Sequence, residues 1–316
     1  MQSWTDEYLQ KVVDVCAKHV DQNRASAILE MKPSSIERVL REARARGISP
    51  SDKPEVPAPP NVLIMDIETS LMTFFGWSPG KQYVGPEQII DDWHILSWSC
   101  KWLFEPDVYS DVLTPEEAKN RDDKRVVESM WHFLDKADII IAHNGKRFDV
   151  RKLNARYMIH DMIPYSPIVV IDTLLIMRSV ALMSSNKQDE LAKRFGLQRK
   201  VEHEGYDLWK KCYYGDPESL LKMEEYNRGD VTGLEELYVY IRGWIKNHPN
   251  MSLFVEGDGH QCPNCGGSNI SWMDKFYYTP MNKYSCFRCG DCGAIGRSPA
   301  GALDKTTKPA LRSIAR

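Results

Sequence analysis

The chain of 316 residues is 42% apolar and contains nine tryptophans, so it can bury a sizeable core and is predicted to divide into two or more folded units. No run of residues approaches the roughly 18 apolar residues of a membrane-spanning helix, and the polar, acidic start is unlike a secretory signal. These features predict a cytoplasmic protein with no membrane partner. The formal net charge of -3 neither indicates nor excludes binding to nucleic acid, because carboxylates that hold metal ions count as negative in this sum.

Residues 1–47 form the first predicted unit, which is entirely helical. Apolar periodicity predicts helices at residues 5–20, 24–30 and 34–46. Pro33 lies in the turn between the last two helices, a pattern typical of a helix-turn-helix unit whose final helix enters a major groove. That final helix carries Arg38, Arg41, Arg44 and Arg46. We favour contact with DNA over the alternative, a small helical bundle with a solvated basic face.

Two segments are predicted to lie outside the folded units. Residues 48–60 contain five prolines among polar residues, a composition that favours extended chain over packed structure, and we interpret them as an interdomain linker. Residues 298–316 are rich in basic side chains and are predicted to form a flexible tail that could add attraction to phosphates.

Residues 61–250 form the largest predicted domain, in which strand and helix patterns are mixed. Strands are predicted at residues 61–65, 95–104, 108–113, 138–142 and 168–171. Helices are predicted at residues 124–136, 173–182, 188–195 and 217–245. The first three strands favour an antiparallel meander before the helices begin. The predicted fold class is therefore α/β, with a mixed sheet flanked by helices.

Residues 74–92 lie between the first two predicted strands and follow no regular pattern. The segment carries Phe74, Phe75, Trp77 and Tyr83. We favour the interpretation that these aromatic side chains form local core. The alternative is a surface on which unpaired bases stack.

Two carboxylates leave the first predicted strand together. Asp66 and Glu68 follow the apolar run at residues 61–65, and because side chains alternate along a strand, both point to the same side of the sheet. Carboxylate oxygens suit magnesium or manganese, and two such ions can stabilise both the attacking and the leaving oxygen of a phosphodiester. The pattern therefore predicts a metal site at the end of this strand.

Two further acidic motifs follow. Residues 139–149 read as a strand, a glycine-containing turn and Asp149 at the start of the next helix, and the strand ends of open α/β sheets are where sites form. Tyr226 and Asp230 are four residues apart in a helical pattern, which places the phenol and the carboxylate on one helix face. The tyrosine could orient a water beside the metal ions. Asp172 is interpreted as the N-cap of the following helix in preference to a supporting acid.

In their order and position, these motifs resemble those of the DnaQ-like 3′–5′ exonucleases of the ribonuclease H-like superfamily, in the DEDDy subgroup that has tyrosine in its last motif. The resemblance covers about residues 61–245, and residues 143–149 are especially similar to the proofreading domains of family B DNA polymerases. It implies a ribonuclease H-like fold and hydrolysis with two Mg2+ or Mn2+ ions. The metal ligands that it implies are Asp66, Glu68, Asp149 and Asp230. In this scheme Asp66 bridges both ions and Tyr226 positions the attacking water.

Residues 258–297 contain cysteines at a spacing typical of zinc sites. Cys262 and Cys265 form one pair, but the second pair is ambiguous because Cys286, Cys289 and Cys292 repeat at the same interval. A resemblance to zinc ribbons favours Cys289 and Cys292 and leaves Cys286 spare. Four thiolates would hold one structural Zn2+ and take no part in catalysis. A redox dithiol is disfavoured because the fold expected around one is not indicated here.

Together these motifs favour a metal-dependent 3′–5′ exonuclease acting on DNA 3′ ends, with the helix-turn-helix unit and the zinc ribbon as accessories that engage the substrate. Nucleic acid is the expected partner, with DNA favoured over RNA, and replication or recombination proteins are further candidates. One alternative is a structure-selective endonuclease on the same fold, and another is a catalytically inactive DNA-binding regulator. The fusion of binding modules to one nuclease resembles proteins of phages or mobile elements, which suggests a bacterial or phage-infected host cell.

Overall fold

A computed structural model describes residues 4–18, 26, 28–48, 59–197, 204–254 and 260–303. The chain divides into two compact units, and the division along the chain falls between Ala58 and Pro59. Most of the predicted linker at residues 48–60 and of the predicted tail at residues 298–316 lies outside the described residues. Within the described ranges, no helix is long and apolar enough to cross a lipid bilayer.

The N-terminal unit contains the helices α1 (Asp6–Lys18) and α2 (Pro33–Ala45). Apolar residues at helical spacing are buried between them, namely Leu9, Val12, Ile36, Val39 and Ala43. The helix α2 begins at Pro33, one residue earlier than predicted. Proline suits this position because its φ angle is helical and it lacks an amide hydrogen, which would have no partner in the first turn.

The arginines of α2 do not all remain available for a partner. All four are exposed, but Arg46, the residue just after α2, forms ion pairs with Asp6 at 3.0 Å and with Glu42 at 2.7 Å. Arg46 therefore joins the end of α2 to the start of α1. The predicted helix at residues 24–30 lies partly outside the described residues, and the helix-turn-helix assignment stays a prediction.

Between residues 59 and 253, the described part of the second unit contains seven strands. They are β1 (Val62–Thr69), β2 (Thr73–Phe74), β3 (Ile89–Asp91), β4 (Ile95–Trp102), β5 (Tyr109–Val112), β6 (Ile139–Ala142) and β7 (Val169–Asp172). Five of them form one sheet in the order β5-β4-β1-β6-β7. The pairs β5-β4 and β4-β1 are antiparallel, and the pairs β1-β6 and β6-β7 are parallel. The predicted mixed sheet, a meander followed by parallel strands, is confirmed.

Helices flank this sheet. They are α3 (Pro115–Asn120), α4 (Lys124–Lys136), α5 (Asp149–Ile159), α6 (Thr173–Val180), α7 (Gln188–Phe195), α8 (Tyr206–Tyr213) and α9 (Pro217–Ile241). The bounds of α4 and α7 are those predicted, whereas α9 ends earlier than residue 245 and continues as the 3-10 turn Arg242–Trp244. The sequence did not predict α3, whose six residues contain too little periodic pattern, and it did not predict α8.

Alternate residues of β1 pack on opposite faces of the sheet. Leu63 lies in a core with α4, α5 and the first half of α9, whereas Ile64 lies in a core with the second half of α9. Since side chains alternate along a strand, Asp66 and Glu68 continue the set that contains Ile64. Both carboxylates therefore face the side of the sheet that α9 covers.

The segment at residues 74–92 forms a two-stranded ribbon of β2 and β3 that leaves aromatic rings in solvent. The exposed fractions are 74% for Phe75, 96% for Trp77 and 89% for Tyr83. The favoured prediction of local core is therefore wrong. A ribbon of two very short strands has no interior in which a large ring can be buried.

Residues 260–303 form a smaller sheet, named here the cysteine module. Its strands are β8 (Ile270–Thr279), β9 (Asn282–Cys289) and β10 (Ile295–Arg297), antiparallel in the order β10-β9-β8. Asn264 joins the module to the end of α9, because its Nδ2 donates to the carbonyl oxygens of Arg242 at 2.9 Å and Ile245 at 3.0 Å. In return, Nε of Arg242 donates to the carbonyl oxygen of Asn264 at 2.8 Å. These bonds satisfy backbone carbonyls that the ending helix leaves without partners.

Candidate active site

Three carboxylates converge where β1 faces α9. Asp66 and Glu68 leave β1 on this side, and Asp230 is buried in α9. One carboxylate oxygen from each of the three residues lies within 4.8 Å of the others. Negative charges this close repel one another, and a cation among them would turn that repulsion into attraction. The structure thus brings together three of the four predicted ligands of the catalytic metals.

The Asp66 carboxylate is oriented by Asn227, a residue that sequence reasoning missed. Nδ2 of Asn227 donates to Oδ2 of Asp66 at 2.7 Å, and Oδ1 of Asn227 accepts from the Ser97 hydroxyl at 3.4 Å. Asn227 is fully buried on α9, three residues before Asp230 and therefore on the same helix face. Its sequence signal is this spacing, in a helix interior where asparagine is intrinsically unfavourable.

The fourth predicted ligand, Asp149, lies outside the cluster of three but is bonded to the same strand. It begins α5, and its Oδ1 accepts from the amide of Ile67 at 3.2 Å. The pairing of β1 with β6 ends at Ile64, so this carboxylate satisfies an amide that has no strand partner. Burial raises the pKa of Asp149 to about 7, and the charge of Asp172 adds to the rise. A nearby cation would oppose both effects and favour the ionised form.

Asp172 fixes the turn that leads to Asp149. Its Oδ1 accepts from the amides of Asn144 and Leu175, each at 3.1 Å, and its Oδ2 accepts from the amide of Lys146 at 3.1 Å. The bond from Leu175 makes Asp172 the N-cap of α6, as predicted. The other two bonds attach the turn after β6 to the end of β7.

The same turn depends on a glycine and a histidine. A Cβ atom on Gly145 would lie 2.4 Å from the Cβ of Ala142, so only glycine lets the chain reverse this closely after β6. The ring nitrogens of His143 lie 2.9 Å from the Thr173 hydroxyl and 2.9 Å from the carbonyl oxygen of Asn186. Both nitrogens are therefore engaged in holding the turn, which agrees with a structural role for His143.

Tyr226 is 7% exposed on α9, four residues before Asp230. Its ring packs edge-on against the ring of Trp209 in α8, with centroids 5.9 Å apart and an interplanar angle of 75°. Nearby, Nε2 of Gln188 donates to the backbone carbonyl oxygen of Asp230 at 2.8 Å, which attaches α7 to this turn of α9. Packing on one side and a hydrogen bond on the other thus restrict the helix that carries both predicted residues.

The donor set suits hard divalent cations. All four predicted ligands are carboxylates, and magnesium and manganese prefer oxygen ligands. Asp66, Glu68 and Asp230 could hold one ion. Asp149 could support a second, because it is bonded to the amide between Asp66 and Glu68.

A second candidate metal centre lies in the cysteine module. The Sγ atoms of Cys262, Cys265, Cys289 and Cys292 lie within 4.8 Å of one another. The Sγ atoms of Cys262 and Cys292 are 3.6 Å apart, as are those of Cys265 and Cys289, and all four cysteines are free thiols. A tetrahedral zinc ion with bonds of about 2.3 Å would separate its sulfurs by roughly 3.8 Å, so the four cysteines could bind zinc.

Cys286, which the sequence left open as a member of the second cysteine pair, lies outside this group of four. It is buried on β9, and its Sγ donates a weak bond to the carbonyl oxygen of Tyr284 at 3.9 Å. The chain turns after Cys265 and after Cys292 through glycines with positive φ, Gly266 and Gly293, each at 75°. In each turn the glycine amide donates to the carbonyl oxygen of the first cysteine of the pair, Gly266 to Cys262 at 2.8 Å and Gly293 to Cys289 at 3.0 Å. The turns therefore bring together the two cysteines within each pair.

Comparison with known proteins supports the fold. Residues 107–242, which include Asp149, Tyr226 and Asp230, match the family model of the RNase H superfamily. With the five-stranded mixed sheet and its flanking helices, this match shows a ribonuclease H-like fold. No curated protein matches the chain.

Among solved structures, the family B DNA polymerase from the hyperthermophilic archaeon Pyrobaculum calidifontis is similar to this chain, with 17% sequence identity and a TM-score of 0.43. The similarity covers 72% of this chain and 32% of the polymerase chain, so it spans about a third of that protein's length.

Proposed function

We propose that the chain is a metal-dependent 3′–5′ exonuclease that hydrolyses phosphodiester bonds at DNA 3′ ends. The observation that carries the proposal is the convergence of Asp66, Glu68 and Asp230 within 4.8 Å on two facing elements of a ribonuclease H-like fold. That fold supports nuclease activity in general. The choice of a 3′ end rests on the resemblance of the five site residues to DnaQ-like exonucleases.

In this mechanism Asp66 would serve both metal sites, with Glu68 and Asp230 at the first and Asp149 at the second. When bound, the two cations would neutralise phosphate charge, activate a water and stabilise the leaving oxygen. Tyr226 would orient the attacking water with its hydroxyl. Asn227 would keep the Asp66 carboxylate in one orientation before substrate arrives, which avoids reorganisation during the reaction.

Hydrolysis adds one water across the terminal phosphodiester. The oxygen of that water bonds to phosphorus, the bond from phosphorus to the 3′ oxygen of the preceding nucleotide breaks, and that oxygen takes up a proton. The products are a nucleoside 5′-monophosphate and a strand with a new 3′ hydroxyl. Water is the only co-reactant in this reaction.

The test is digestion of 5′-labelled single-stranded and duplex DNA with Mg2+ or Mn2+, beside matching RNA and a single-stranded circle. We expect a ladder that descends from the 3′ end of linear DNA and an intact circle. Asp66→Asn should abolish the ladder because it removes a charge from the cluster. Asp107→Asn is the matched control, because it makes the same change at an exposed carboxylate.

Other outcomes would reject the proposal in distinct ways. Opened circles would identify an endonuclease. Tight binding without cleavage would identify a DNA-binding regulator, and preferential cleavage of the RNA would contradict the preference for DNA.

We also propose that Cys262, Cys265, Cys289 and Cys292 bind one structural zinc ion. The separations of their Sγ atoms support this role. The bonds between Asn264 and the end of α9 mean that the metal would stabilise a module attached to the helix of Tyr226 and Asp230. Zinc would thus act through folding and not in the chemical step.

A further inference from the structure

One face of the sheet in the cysteine module leaves large aromatic rings in solvent. The exposed fractions are 46% for Trp272, 39% for Phe276 and 70% for Tyr278. All three lie on β8, and the rings of Phe276 and Tyr278 have centroids 6.4 Å apart. Exposed rings in a row are unusual on a protein surface and point to a partner that can cover them.

The strand register places these rings on a single face. Trp272 pairs with Phe287, Phe276 with Ser285 and Tyr278 with Lys283, and the three partners alternate along β9. An irregularity between Trp272 and Phe276 inserts two extra residues in β8, which keeps both rings on the same side. We name Trp272, Phe276, Tyr278, Lys283 and Phe287 the aromatic face.

Phe287 forms the floor of the aromatic face. It is 6% exposed, and its ring contacts that of Trp272 edge-on with centroids 5.6 Å apart. A Cβ atom on Gly296 would lie 2.1 Å from the Cζ of Phe287, so the ring lies across the backbone of β10, where a side chain is absent. The exposed Trp272 ring is therefore held in place by a packed neighbour before any partner binds.

A cation lies against one of the rings. Nζ of Lys283 lies 4.6 Å from the centroid of Phe276, a cation–π distance. Residues 260–303 contain the basic residues Lys275, Lys283, Arg288 and Arg297 and only two carboxylates, those of Asp274 and Asp291. Across the described part of the chain, the four basic residues form no ion pair with a carboxylate. The Lys283 charge beside Phe276 is thus available to an anionic partner, whereas Arg297 lies over the rings of Tyr277 and Tyr284.

We propose that the aromatic face binds single-stranded nucleic acid, with unpaired bases stacked on Trp272, Phe276 and Tyr278 and phosphates near Lys283. Every base has a flat π surface, so rings on a sheet can bind bases without selecting a sequence, and lysines can neutralise the backbone. The proposal deepens the proposed function, on which it rests for the nature of the substrate. The aromatic face would be a binding surface separate from the carboxylates of the proposed catalytic site.

The experiment measures the affinity of the full chain for a dye-labelled single-stranded circle of thymidine nucleotides, by fluorescence anisotropy. The protein carries Asp66→Asn and keeps its zinc, and no Mg2+ or Mn2+ is added, so affinity is measured without cleavage. Phe276→Ala with Tyr278→Ala should weaken binding by roughly tenfold for each ring. Phe104→Ala, which removes a ring 65% exposed outside the module, should leave affinity unchanged.

Two further arms separate stacking from other causes. A blunt duplex hides its base faces, so its affinity should not respond to the ring substitutions. Lys283→Ala should lower the dependence of single-strand affinity on salt, by about 0.7 in the logarithmic slope for one phosphate contact. A matching circle of uridine nucleotides should respond to the ring substitutions as the DNA circle does, because stacking does not require a particular sugar.

Unchanged single-strand affinity in the double ring variant would overturn the proposal, as would an equal loss of affinity for the duplex. The double variant must keep its zinc and its melting temperature. If it does not, Tyr278→Ala alone provides the test, because that ring is largely exposed. Binding is measured in a chain that cannot cut, so absence of nuclease activity in the native chain would reject the proposed function without deciding this inference.

Discussion

At the scale of single residues, local pattern located the carboxylates but not the residues that orient them. Asp66 and Glu68 were predictable because a strand sends alternate side chains to one face. Asn227 was not, because its importance lies in a hydrogen bond to Asp66, a residue 161 positions away. A contact over that separation depends on where α9 crosses the sheet, which no short pattern encodes.

Asn227→Ala should weaken the metal site. Alanine is a better helix former than asparagine, so α9 itself should persist, but the Asp66 carboxylate would lose a donor and become free to rotate. We expect Mn2+ affinity and kcat/KM to fall by about ten- to a hundredfold, as is usual when a residue that orients a metal ligand is removed.

Calorimetric titration with Mn2+ and single-turnover hydrolysis would measure the two quantities. Asn120→Ala, at an exposed position, controls for the loss of an amide side chain. Undiminished Mn2+ affinity in Asn227→Ala would show that Asp66 keeps its orientation without this bond.

Tyr226→Phe should separate catalysis from metal binding. The ring would still pack against Trp209, so α9 should not move, but the hydroxyl proposed to orient water would be gone. We expect the rate of hydrolysis to fall on the order of ten- to a hundredfold with Mn2+ affinity unchanged. An undiminished rate under single-turnover conditions would refute the role of the phenol.

At the scale of elements, α9 connects the two candidate metal centres. Its middle carries Asp230, and the turn at its end is bonded to Asn264 in the cysteine module. A Cβ atom on Gly243 would lie 2.3 Å from the carbonyl oxygen of Cys292, so the second cysteine pair also approaches this turn closely. The sequence predicted the helix and the cysteines separately, and packing alone placed them side by side.

Cys262→Ser should release zinc and loosen the cysteine module, because three thiolates and a hydroxyl bind zinc less well than four thiolates. We expect zinc content to fall and the module to become susceptible to protease, with a smaller effect on the sheet that carries Asp66. Zinc analysis and limited proteolysis would measure both. Cys286→Ser serves as the control, and loss of zinc from that variant instead would mean that the ligand set is wrong.

At the scale of the whole molecule, burial of titratable groups makes the stability of the fold depend on pH. Burial lowers the pKa of His94 to about 4, despite the opposing charge of Asp123, and it also lowers the pKa of His248 to about 4. Both histidines are therefore neutral in the folded chain near pH 5. The unfolded chain binds those protons with the ordinary pKa of about 6.5.

Stability should consequently decrease as the pH falls from about 6.5 towards 4. Within this window the unfolded state binds more protons at these two histidines than the folded state does, so acid favours unfolding, and each histidine would contribute up to about 3 kcal/mol. Asp149 acts in the opposite direction, because its raised pKa lets the folded state bind a proton there. Urea unfolding between pH 7.5 and 4.5 would measure the effect. His94→Gln should flatten the profile, with His132→Gln as the control at an exposed histidine, and an unaltered slope in His94→Gln would contradict the assignment.

Local patterns were sufficient for the class of fold, the bounds of α4 and α7, the two acidic motifs on β1 and α9, and a cysteine-rich module. Periodicity and spacing act within one turn of helix or one strand, so such features can be predicted from short segments. Three-dimensional packing settled matters that depend on distant segments. It placed Asp230 beside Asp66, grouped Cys289 and Cys292 with the first cysteine pair, and left the aromatic rings at residues 74–92 in solvent. Whether a side chain is buried, bonded or exposed depends on which elements meet, and that is a property of the folded chain.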